Sequence, residues 1–219
     1  MTPLSDMFLS VGLRIYNSPV SRGTGRRIIL SYHSVSDSGW QFAVSTNDFS
    51  IYLKYLMDNF KILPLAKLLK SSSQEDLVAL TFDDGYLDIW KNAFPQMKKL
   101  GLMETIFFTK YHSNLLKETF PGAKFMQPRH LRELQDYGWE FGYHTNNHVG
   151  LIDISSVDLM LEIGSRKQIE ERYGLSVPYF AYPMGQYDNR AIEAVGLAGF
   201  EYGFTTSATT DYSAPLAYP

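Results

Sequence analysis

The chain has 219 residues, of which 45% are hydrophobic and 20% charged, a composition typical of one folded domain with a sizeable core. Its net charge of -3 leaves no basic excess, which argues against nucleic acid as a partner. Cysteine is absent, so disulfides and thiol nucleophiles are excluded and any metal site must use His, Asp or Glu.

The first residues of the chain lack the early positive charge and the unbroken apolar run of a signal peptide, and no apolar stretch approaches the ~20 residues of a membrane span. We therefore favour a cytoplasmic or membrane-surface location. An amphipathic pattern predicts a short helix in an N-terminal extension, residues 1–25, built on Met7, Phe8, Val11, Leu13 and Ile15. This helix either packs on the domain or makes peripheral contact with a membrane.

Seven short apolar runs predict β-strands. Several are nearly continuous in apolar residues, as expected for parallel strands that are covered on both faces. In chain order the predicted strands are Arg27–Tyr32, Phe60–Pro64, Leu77–Phe82, Thr105–Thr109, Trp139–Tyr143, Pro178–Tyr182 and Tyr202–Thr205.

Helical patterns separate these strands. The predicted helices are Asn47–Asn59 with Thr46 as N-cap, Leu87–Leu100 with a kink or break at Pro95, Pro128–Tyr137, Ser156–Tyr173 and Asn189–Ala198. Strands that alternate with helices predict an α/β fold with a parallel sheet, in a single domain over residues 1–219. The sheet is either open or a barrel with one strand missing or irregular.

Polar residues collect just after the predicted strands. Parallel α/β folds bind ligands at the carboxyl ends of their strands, so these residues are expected to share one face. They are His33 after the first strand, Asp83 and Asp84 after the third, His144 and His148 after the fifth, and Pro183, Met184 and Gly185 after the sixth.

The segment TFDDG, from Thr81 to Gly85, places two carboxylates side by side. Adjacent strand residues point to opposite faces, so a shared site needs a backbone bend, which Gly85 permits. Two adjacent carboxylates also repel each other unless a cation or a proton lies between them. A divalent metal would bind one carboxylate and leave the other as a base. The alternative is a simple turn that caps the next helix.

The segment HTNNH places His144 and His148 four residues apart, a spacing that can direct both imidazoles at one metal. It lacks the Glu of the HExxH zinc helix, so a zincin metalloprotease is not indicated. With Asp84 the two histidines make a three-ligand site with open positions, which is typical of a catalytic metal. The alternative is a pair of ordinary loop histidines.

His33 is our candidate for a general acid, because imidazole titrates near neutral pH and can protonate a departing amine. The alternative is a buried histidine with a structural role. We assign His112 and His130 to loop or substrate-side roles at most. Several aromatic residues either belong to the core or stack on sugar rings, namely Trp40, Tyr86, Trp90, Tyr143, Tyr182 and Tyr187.

The TFDDG and HTNNH segments together resemble the first and second motifs of the NodB-homology polysaccharide deacetylases, carbohydrate esterase family four. The similarity extends over roughly Arg27 to Thr206, with GLMETIFFT, LRELQDYGWEFGYHTNNH and YFAYPMGQYD in the expected order. The FAYP segment and the early YH of LSYHSV are similar to the poly-N-acetylglucosamine deacetylase subgroup, in which the acid histidine comes from this early position. That position is His33 here.

The resemblance implies a distorted (β/α)7 barrel and a role for each matching residue. Asp83 would be the general base for the attacking water, His33 the general acid, and the backbone amide of Tyr86 an oxyanion donor. The divalent metal, commonly Zn²⁺ with Co²⁺, Ni²⁺, Fe²⁺ and Mn²⁺ as alternatives, would be bound by Asp84, His144 and His148. The third motif, Phe180 to Gly185, would line the substrate groove through Tyr182, Pro183, Met184 and Gly185.

This chain also departs from the family pattern. Many members carry an Arg in the third motif that pairs with the catalytic Asp, whereas Ala181 lies near that place here, so Asp83 has no identified partner. The late Leu-x-His and Asp-Trp motifs are absent, and the last histidine is His148.

The expected activity is metal-dependent hydrolysis of N-acetyl groups on N-acetylglucosamine-type residues of a polysaccharide or glycan precursor, with release of acetate. The expected partner is that N-acetylated glycan. One alternative uses the same metal centre on O-acetyl esters or on non-sugar amides. The other is a catalytically degenerate sugar-binding module, against which the intact Asp83 argues, because a binding module has no need of a base.

Overall fold

The computed structural model describes residues 25–206 and 214–219. The predicted N-terminal amphipathic helix lies outside these described residues. No helix within them is both long enough and apolar enough to span a bilayer.

The described residues form nine β-strands and eight α-helices. The strands are β1 (Arg27–Tyr32), β2 (Ser34–Val35), β3 (Ala43–Val44), β4 (Lys61–Ile62), β5 (Leu77–Phe82), β6 (Thr105–Phe108), β7 (Glu140–Tyr143), β8 (Tyr179–Ala181) and β9 (Tyr202–Phe204). The helices are α1 (Thr46–Asn59), α2 (Leu65–Leu69), α3 (Phe94–Lys99), α4 (Leu115–Glu118), α5 (Pro128–Tyr137), α6 (Ser156–Ile163), α7 (Arg166–Tyr173) and α8 (Asn189–Leu197).

Seven parallel strands form one sheet in the order β1-β5-β6-β7-β8-β9, with β4 also paired to β5. These are the seven strands predicted from the sequence, and the α/β fold is confirmed. Within the ranges 25–206 and 214–219 no pairing joins β1 to β9, so the sheet is an open half-barrel. The short strands β2 and β3 form a separate parallel pair. This pair was not predicted, because a strand of two residues is too short to show a pattern in the sequence.

The sheet forks at β5. One edge of β5 pairs with β1 along its whole length, while the other edge pairs first with β4, at Leu77 and Val78, and then with β6, at Thr81 and Phe82. At the fork the Leu80 amide donates to the carboxylate of Glu104 over 3.0 Å. Glu104 is fully buried, and this burial raises its pKa well above the ordinary value.

The two faces of the sheet have different environments. Side chains alternate along each strand, so residues such as Leu30, Phe82 and Phe141 pack in the larger core. The inner face carries a smaller apolar cluster that includes Ala79, Phe107 and Ala181, packed against Leu65 and Leu68 of α2. Ser31 and Thr81 lie on this inner face, and it leads at the carboxyl ends of the strands to the candidate site.

Close packing on the inner face requires glycine in β7. A Cβ on Gly142 would overlap the ring of Phe107 and would lie 3.0 Å from the Cβ of Tyr179. The missing side chain therefore lets three neighbouring strands pack together two residues before His144.

Three helix predictions are wrong in detail. The N-cap of α1 is Ser45 and not Thr46, because Ser45 is extended and its side chain accepts a hydrogen bond from the Asp48 amide. The predicted helix Ser156–Tyr173 is two helices, α6 and α7, because Gly164 adopts φ 68° and ψ -162°, a conformation open essentially to glycine. The predicted helix Leu87–Leu100 changes type before Pro95 and does not break there: a π-helical segment, Ile89–Ala93, runs directly into α3, with Pro95 in its first turn.

Candidate functional site

Left-handed backbone shapes the loops at the carboxyl ends of β5 and β7. Asp83 continues the inner face of β5, and its amide donates to the carbonyl of Tyr32 on β1. Asp84 then adopts φ 69°, which turns the chain sharply and directs its side chain into the same cavity as that of Asp83. After β7, Thr145 and His148 adopt φ 68° and 53°. Non-glycine residues rarely take such values, so these loops are held in shape by their surroundings.

Asp84, His144 and His148 converge. The Nε2 atoms of His144 and His148 lie 3.7 Å and 3.4 Å from Asp84 Oδ1. One ligand atom from each residue lies within 4.8 Å of the other two. Asp84 follows β5, whereas His144 and His148 follow β7, at least 60 positions later in the chain. The structure thus brings together side chains from distant parts of the sequence.

Asp84 Oδ1 is a buried oxygen without a hydrogen-bond partner. The residue is only 1% exposed. Burial, then Asp83 and then Glu118 raise the pKa of Asp84 well above its usual value. A cation would stabilise the ionised form of this buried carboxylate, and a divalent metal held by Asp84 and the two histidines would supply one.

Both histidines are suited to binding a metal. Burial lowers the pKa of His144 to about 4 and that of His148 to about 3, so both imidazoles are neutral at neutral pH. His144 Nδ1 lies 2.7 Å from the carbonyl oxygen of Ala181, to which its N–H donates, leaving the Nε2 lone pair directed at Asp84. The His148 amide donates to Thr145 Oγ1 over 2.9 Å, which fixes the loop. The residues present therefore fit a divalent metal.

Asp83 is the second carboxylate of the site. Its Oδ2 accepts a hydrogen bond from the hydroxyl of Ser31 on β1 over 2.6 Å. Burial raises the pKa of Asp83, while His33, Ser31 and His148 act in the opposite direction. Asp83 therefore lies beside the three metal-binding candidates without being one of them.

His33 faces Asp83 from the end of β1. Its ring packs against Phe42, with ring centres 5.3 Å apart, and burial lowers its pKa while Asp83 raises it. The loop that carries His33 is anchored to Asp88, whose carboxylate accepts hydrogen bonds from the Ser34 hydroxyl and the Val35 amide, at 2.8 and 3.0 Å.

The backbone amide of Tyr86 is available as a donor. Gly85 and Leu87 make the hydrogen bonds to the segment Lys124–Met126, and Tyr86 forms the antiparallel bridge with Phe125 between them. In such a bridge the amide of the central residue points away from the partner segment. None of the described residues accepts a hydrogen bond from it.

These residues line one cavity of about 490 Å³. Of the predicted groove residues, Tyr182, Met184 and Gly185 line it, whereas Pro183 is buried and does not. Trp40, Phe42 and Tyr86 form an aromatic wall on the same cavity. Met184 is 54% exposed at the rim, with φ 58°.

The other aromatic and histidine candidates lie elsewhere. The Trp90 indole donates to Glu133, Tyr143 is fully buried, and Tyr187 packs on the ring of Tyr182. His130 caps α5, where its Nδ1 accepts from the Gln127 amide. His112 stacks on Phe125, lines a second cavity and has its pKa lowered by burial to about 4.

The residues of this site that were missed from the sequence include Ser31, Phe42 and Asp88. Ser31 had a usable signal, since it lies two residues before His33 and therefore on the same face of the first strand. Asp88 had none, because its hydrogen bonds depend on how the loop after β1 meets the π-helical segment.

Comparisons with known proteins agree with this site. The polysaccharide deacetylase family model matches residues 70–203, well over half of the chain. The Bacillus subtilis protein YxkH is 28% identical over 185 residues, which cover 81% of this chain and 63% of YxkH. The poly-beta-1,6-N-acetyl-D-glucosamine N-deacetylase of Staphylococcus aureus is 27% identical over 195 residues, covering 80% of this chain and 67% of the relative. The chain thus spans about two thirds of the length of these curated relatives.

Solved structures share the fold. IcaB from Ammonifex degensii superimposes with a TM-score of 0.74 at 23% identity, covering 84% of each chain. The Streptococcus pyogenes deacetylase PplD, in complex with acetate, gives a TM-score of 0.68 at 21% identity, covering 85% of this chain and 84% of PplD. The family model, which matches a chain whose half-barrel bears TFDDG and HTNNH at its carboxyl edge, shows that this chain belongs to the polysaccharide deacetylase family.

Proposed function

We propose that the protein hydrolyses the N-acetyl group of N-acetylglucosamine-type residues in a polysaccharide or glycan precursor and releases acetate. One observation carries the proposal. An unpartnered, buried Asp84 oxygen lies within 3.7 Å of two imidazole nitrogens, next to a second carboxylate, Asp83, that is free to act as a base. A sugar-binding module would need at most the metal-binding groups, Asp84 and the two imidazoles, and would have no use for Asp83.

The metal is a divalent cation, for which we propose zinc. Two neutral imidazoles and one carboxylate are a common ligand set of catalytic zinc, and they leave positions open for water and substrate. Co²⁺, Ni²⁺, Fe²⁺ and Mn²⁺ accept similar ligands and stand as alternatives. When bound, the metal would polarise the acetamide carbonyl and favour attack by water.

The protein's own groups would move the protons and hold the charge. Asp83 takes the proton of the attacking water with the carboxylate oxygen that Ser31 does not hold. The Tyr86 amide donates to the oxygen of the substrate carbonyl as negative charge develops there. His33 protonates the departing sugar amine. Burial makes protonated His33 a stronger acid than free imidazole, and Asp83 beside it favours the protonated form.

The shape of the cavity supports a sugar substrate. Trp40, Phe42 and Tyr182 present aromatic surface to the cavity, and such rings stack well on the apolar faces of pyranoses. The name of the S. aureus relative, a poly-beta-1,6-N-acetyl-D-glucosamine N-deacetylase, supports an N-acetylglucosamine polymer. The predicted cytoplasmic or membrane-surface location, and membrane contact through the N-terminal helix, stay predictions.

Acetate release from a substrate panel tests the proposal. The panel contains β-1,6- and β-1,4-linked N-acetylglucosamine oligomers, an O-acetylated xylan and a simple acetanilide, each assayed with chelator and after addition of Zn²⁺ or Co²⁺. We expect acetate from an N-acetylglucosamine oligomer, loss of activity with chelator and recovery with metal. Activity restricted to the ester or to the acetanilide would overturn the choice of substrate, and metal binding without acetate release would favour a sugar-binding module.

A pair of histidine variants locates the metal. His148→Ala is expected to lose zinc on dialysis and to lose activity with it. His112→Ala is the matched control, because His112 is also a half-buried histidine but lines the second cavity. Equal loss of zinc from both variants would show that the metal is bound elsewhere.

A further inference from the structure

The catalytic role proposed for Asp83 depends on the orientation of its carboxylate. A base must hold one oxygen towards the attacking water while the other oxygen is fixed, since a misplacement of about 1 Å can cost two orders of magnitude in rate. Many family members fix this carboxylate with an Arg from the third motif, and this chain has Ala181 near that place.

Among the residues that the structure describes, no cationic side chain takes the place of that Arg. Ala181 is buried, and its carbonyl oxygen accepts from His144 Nδ1, so β8 supports the metal site and not Asp83. Of the described residues that line the cavity, Arg27 alone carries a guanidinium or ammonium group. Arg27 lies at the amino end of β1, whereas Asp83 follows the carboxyl end of β5, its neighbour in the sheet.

Ser31 is placed to fix the carboxylate. β1 and β5 are parallel and in register, with Ser31 opposite Thr81, so Ser31, Thr81 and Asp83 share the inner face of the sheet. The Ser31 hydroxyl donates to Asp83 Oδ2 over 2.6 Å. Ser31 is the fifth of the six residues of β1 and is paired with Thr81 of β5, so the sheet holds its backbone and keeps its hydroxyl close to the carboxylate.

We propose that Ser31 is the positioning residue for Asp83 in this chain, a neutral hydroxyl on β1 that replaces the third-motif Arg. This proposal rests on the deacetylase function proposed above. Ser31 acts through Asp83 and needs no contact with substrate. The end of β1 then supplies both the residue that positions the base and the general acid, since His33 follows Ser31 by two residues and faces the same cavity.

Three variants test this assignment. Ser31→Ala removes the hydroxyl, and Ser31→Thr restores it with a methyl group added. Thr105→Val is the control, because the buried Thr105 hydroxyl also donates to a carboxylate on this face, that of Glu140 over 3.3 Å, away from the metal-binding residues. For each variant we would measure kcat, KM, zinc content after dialysis and the crystal structure.

Ser31→Ala is expected to lower kcat by about tenfold, as for loss of one hydrogen bond to a charged group, with KM and zinc content unchanged. Ser31→Thr should recover most of kcat, and Thr105→Val should keep it. A kcat of Ser31→Ala within twofold of the unmodified enzyme would overturn the positioning role, as would a matching fall in zinc content.

The crystal structures keep this inference separate from the proposed function. In Ser31→Ala the Asp83 carboxylate should rotate or shift by about 1 Å or more from its place in the unmodified protein, whether or not acetate is released. A carboxylate that stays in place in Ser31→Ala would overturn the inference. Absence of acetate release from the unmodified protein would instead overturn the proposed function.

Discussion

Replacing Asp84 by Asn is expected to stabilise the metal-free protein, although it removes a metal ligand. Asp84 is 1% exposed, and its Oδ1 has no hydrogen-bond partner. A buried polar group without a partner costs about 1–3 kcal/mol, and more if it is charged. An amide at this position is neutral and can donate to a histidine nitrogen 3.4–3.7 Å away. We expect a gain near 2 kcal/mol, or about 4–8 °C in Tm for a domain of this size.

The pH dependence of this gain has a definite sign. Because burial, Asp83 and Glu118 raise the pKa of Asp84 well above its ordinary value of 3.8, the folded protein resists the loss of that proton. The stability that a protonated Asp84 allows is present below the unfolded pKa and is lost as pH rises through the folded pKa. The advantage of Asp84→Asn over the unmodified protein should therefore be larger at pH 8 than at pH 5.

Thermal unfolding in EDTA at pH 5 and pH 8, followed by a second series with Zn²⁺, measures both effects. Zinc should raise the Tm of the unmodified protein and leave that of Asp84→Asn nearly unchanged. Asp136→Asn, on the exposed side of α5, controls for the change of charge. If metal-free Asp84→Asn were less stable than the unmodified protein at pH 8, or if zinc stabilised both equally, Asp84 would not be an uncompensated buried ligand.

Three further predictions concern single groups. Asp83→Asn should retain zinc but lower kcat by at least about 100-fold, the usual scale for a general base, and equal acetate release would contradict that role. Glu104→Gln keeps an acceptor for the Leu80 amide. Because burial raises the pKa of Glu104, the unmodified protein should lose stability relative to this variant as pH rises above about 4.5. A difference in urea midpoint between the two proteins that is the same at pH 5 and pH 8 would argue against it. Gly142→Ala should lower the free energy of unfolding by about 1–3 kcal/mol through overlap with the Phe107 ring, and Phe107→Leu in the same chain should recover part of it; an unchanged urea midpoint would show that β7 can shift.

The sequence predicts the seven-stranded sheet well because parallel strands leave a strong local signal. Arg27–Tyr32 and Leu77–Phe82 begin and end as predicted, since apolar residues fill or alternate along each strand between polar neighbours. The convergence of Asp84, His144 and His148 is likewise anticipated, because the carboxyl ends of parallel strands meet at one edge.

Features that depend on tertiary neighbours could not be predicted from the sequence. The fork of β5 arises because β4 and β6 are each too short to cover its edge alone. No local pattern in either strand predicts that the two share this edge. The break between α6 and α7 depends on one backbone angle at Gly164 inside an otherwise helical pattern. The hydrogen bond from Ser31 to Asp83 joins residues 52 positions apart, and only the register of β1 against β5 brings them together.

The left-handed backbone in the site loops has a consequence for how this protein tolerates change. Among residues 25–206 and 214–219, the non-glycine residues with positive φ are Asp84, Thr145, His148 and Met184. Three of them line the cavity, and Thr145 follows His144, which also lines it. Each carries a conformational penalty of about 1–2 kcal/mol that the surrounding contacts offset. A glycine at Thr145 would relieve that penalty, but it would also remove the hydroxyl that holds the His148 amide. Relaxing the backbone of this loop would thus loosen the position of His148, one of the three candidate metal ligands.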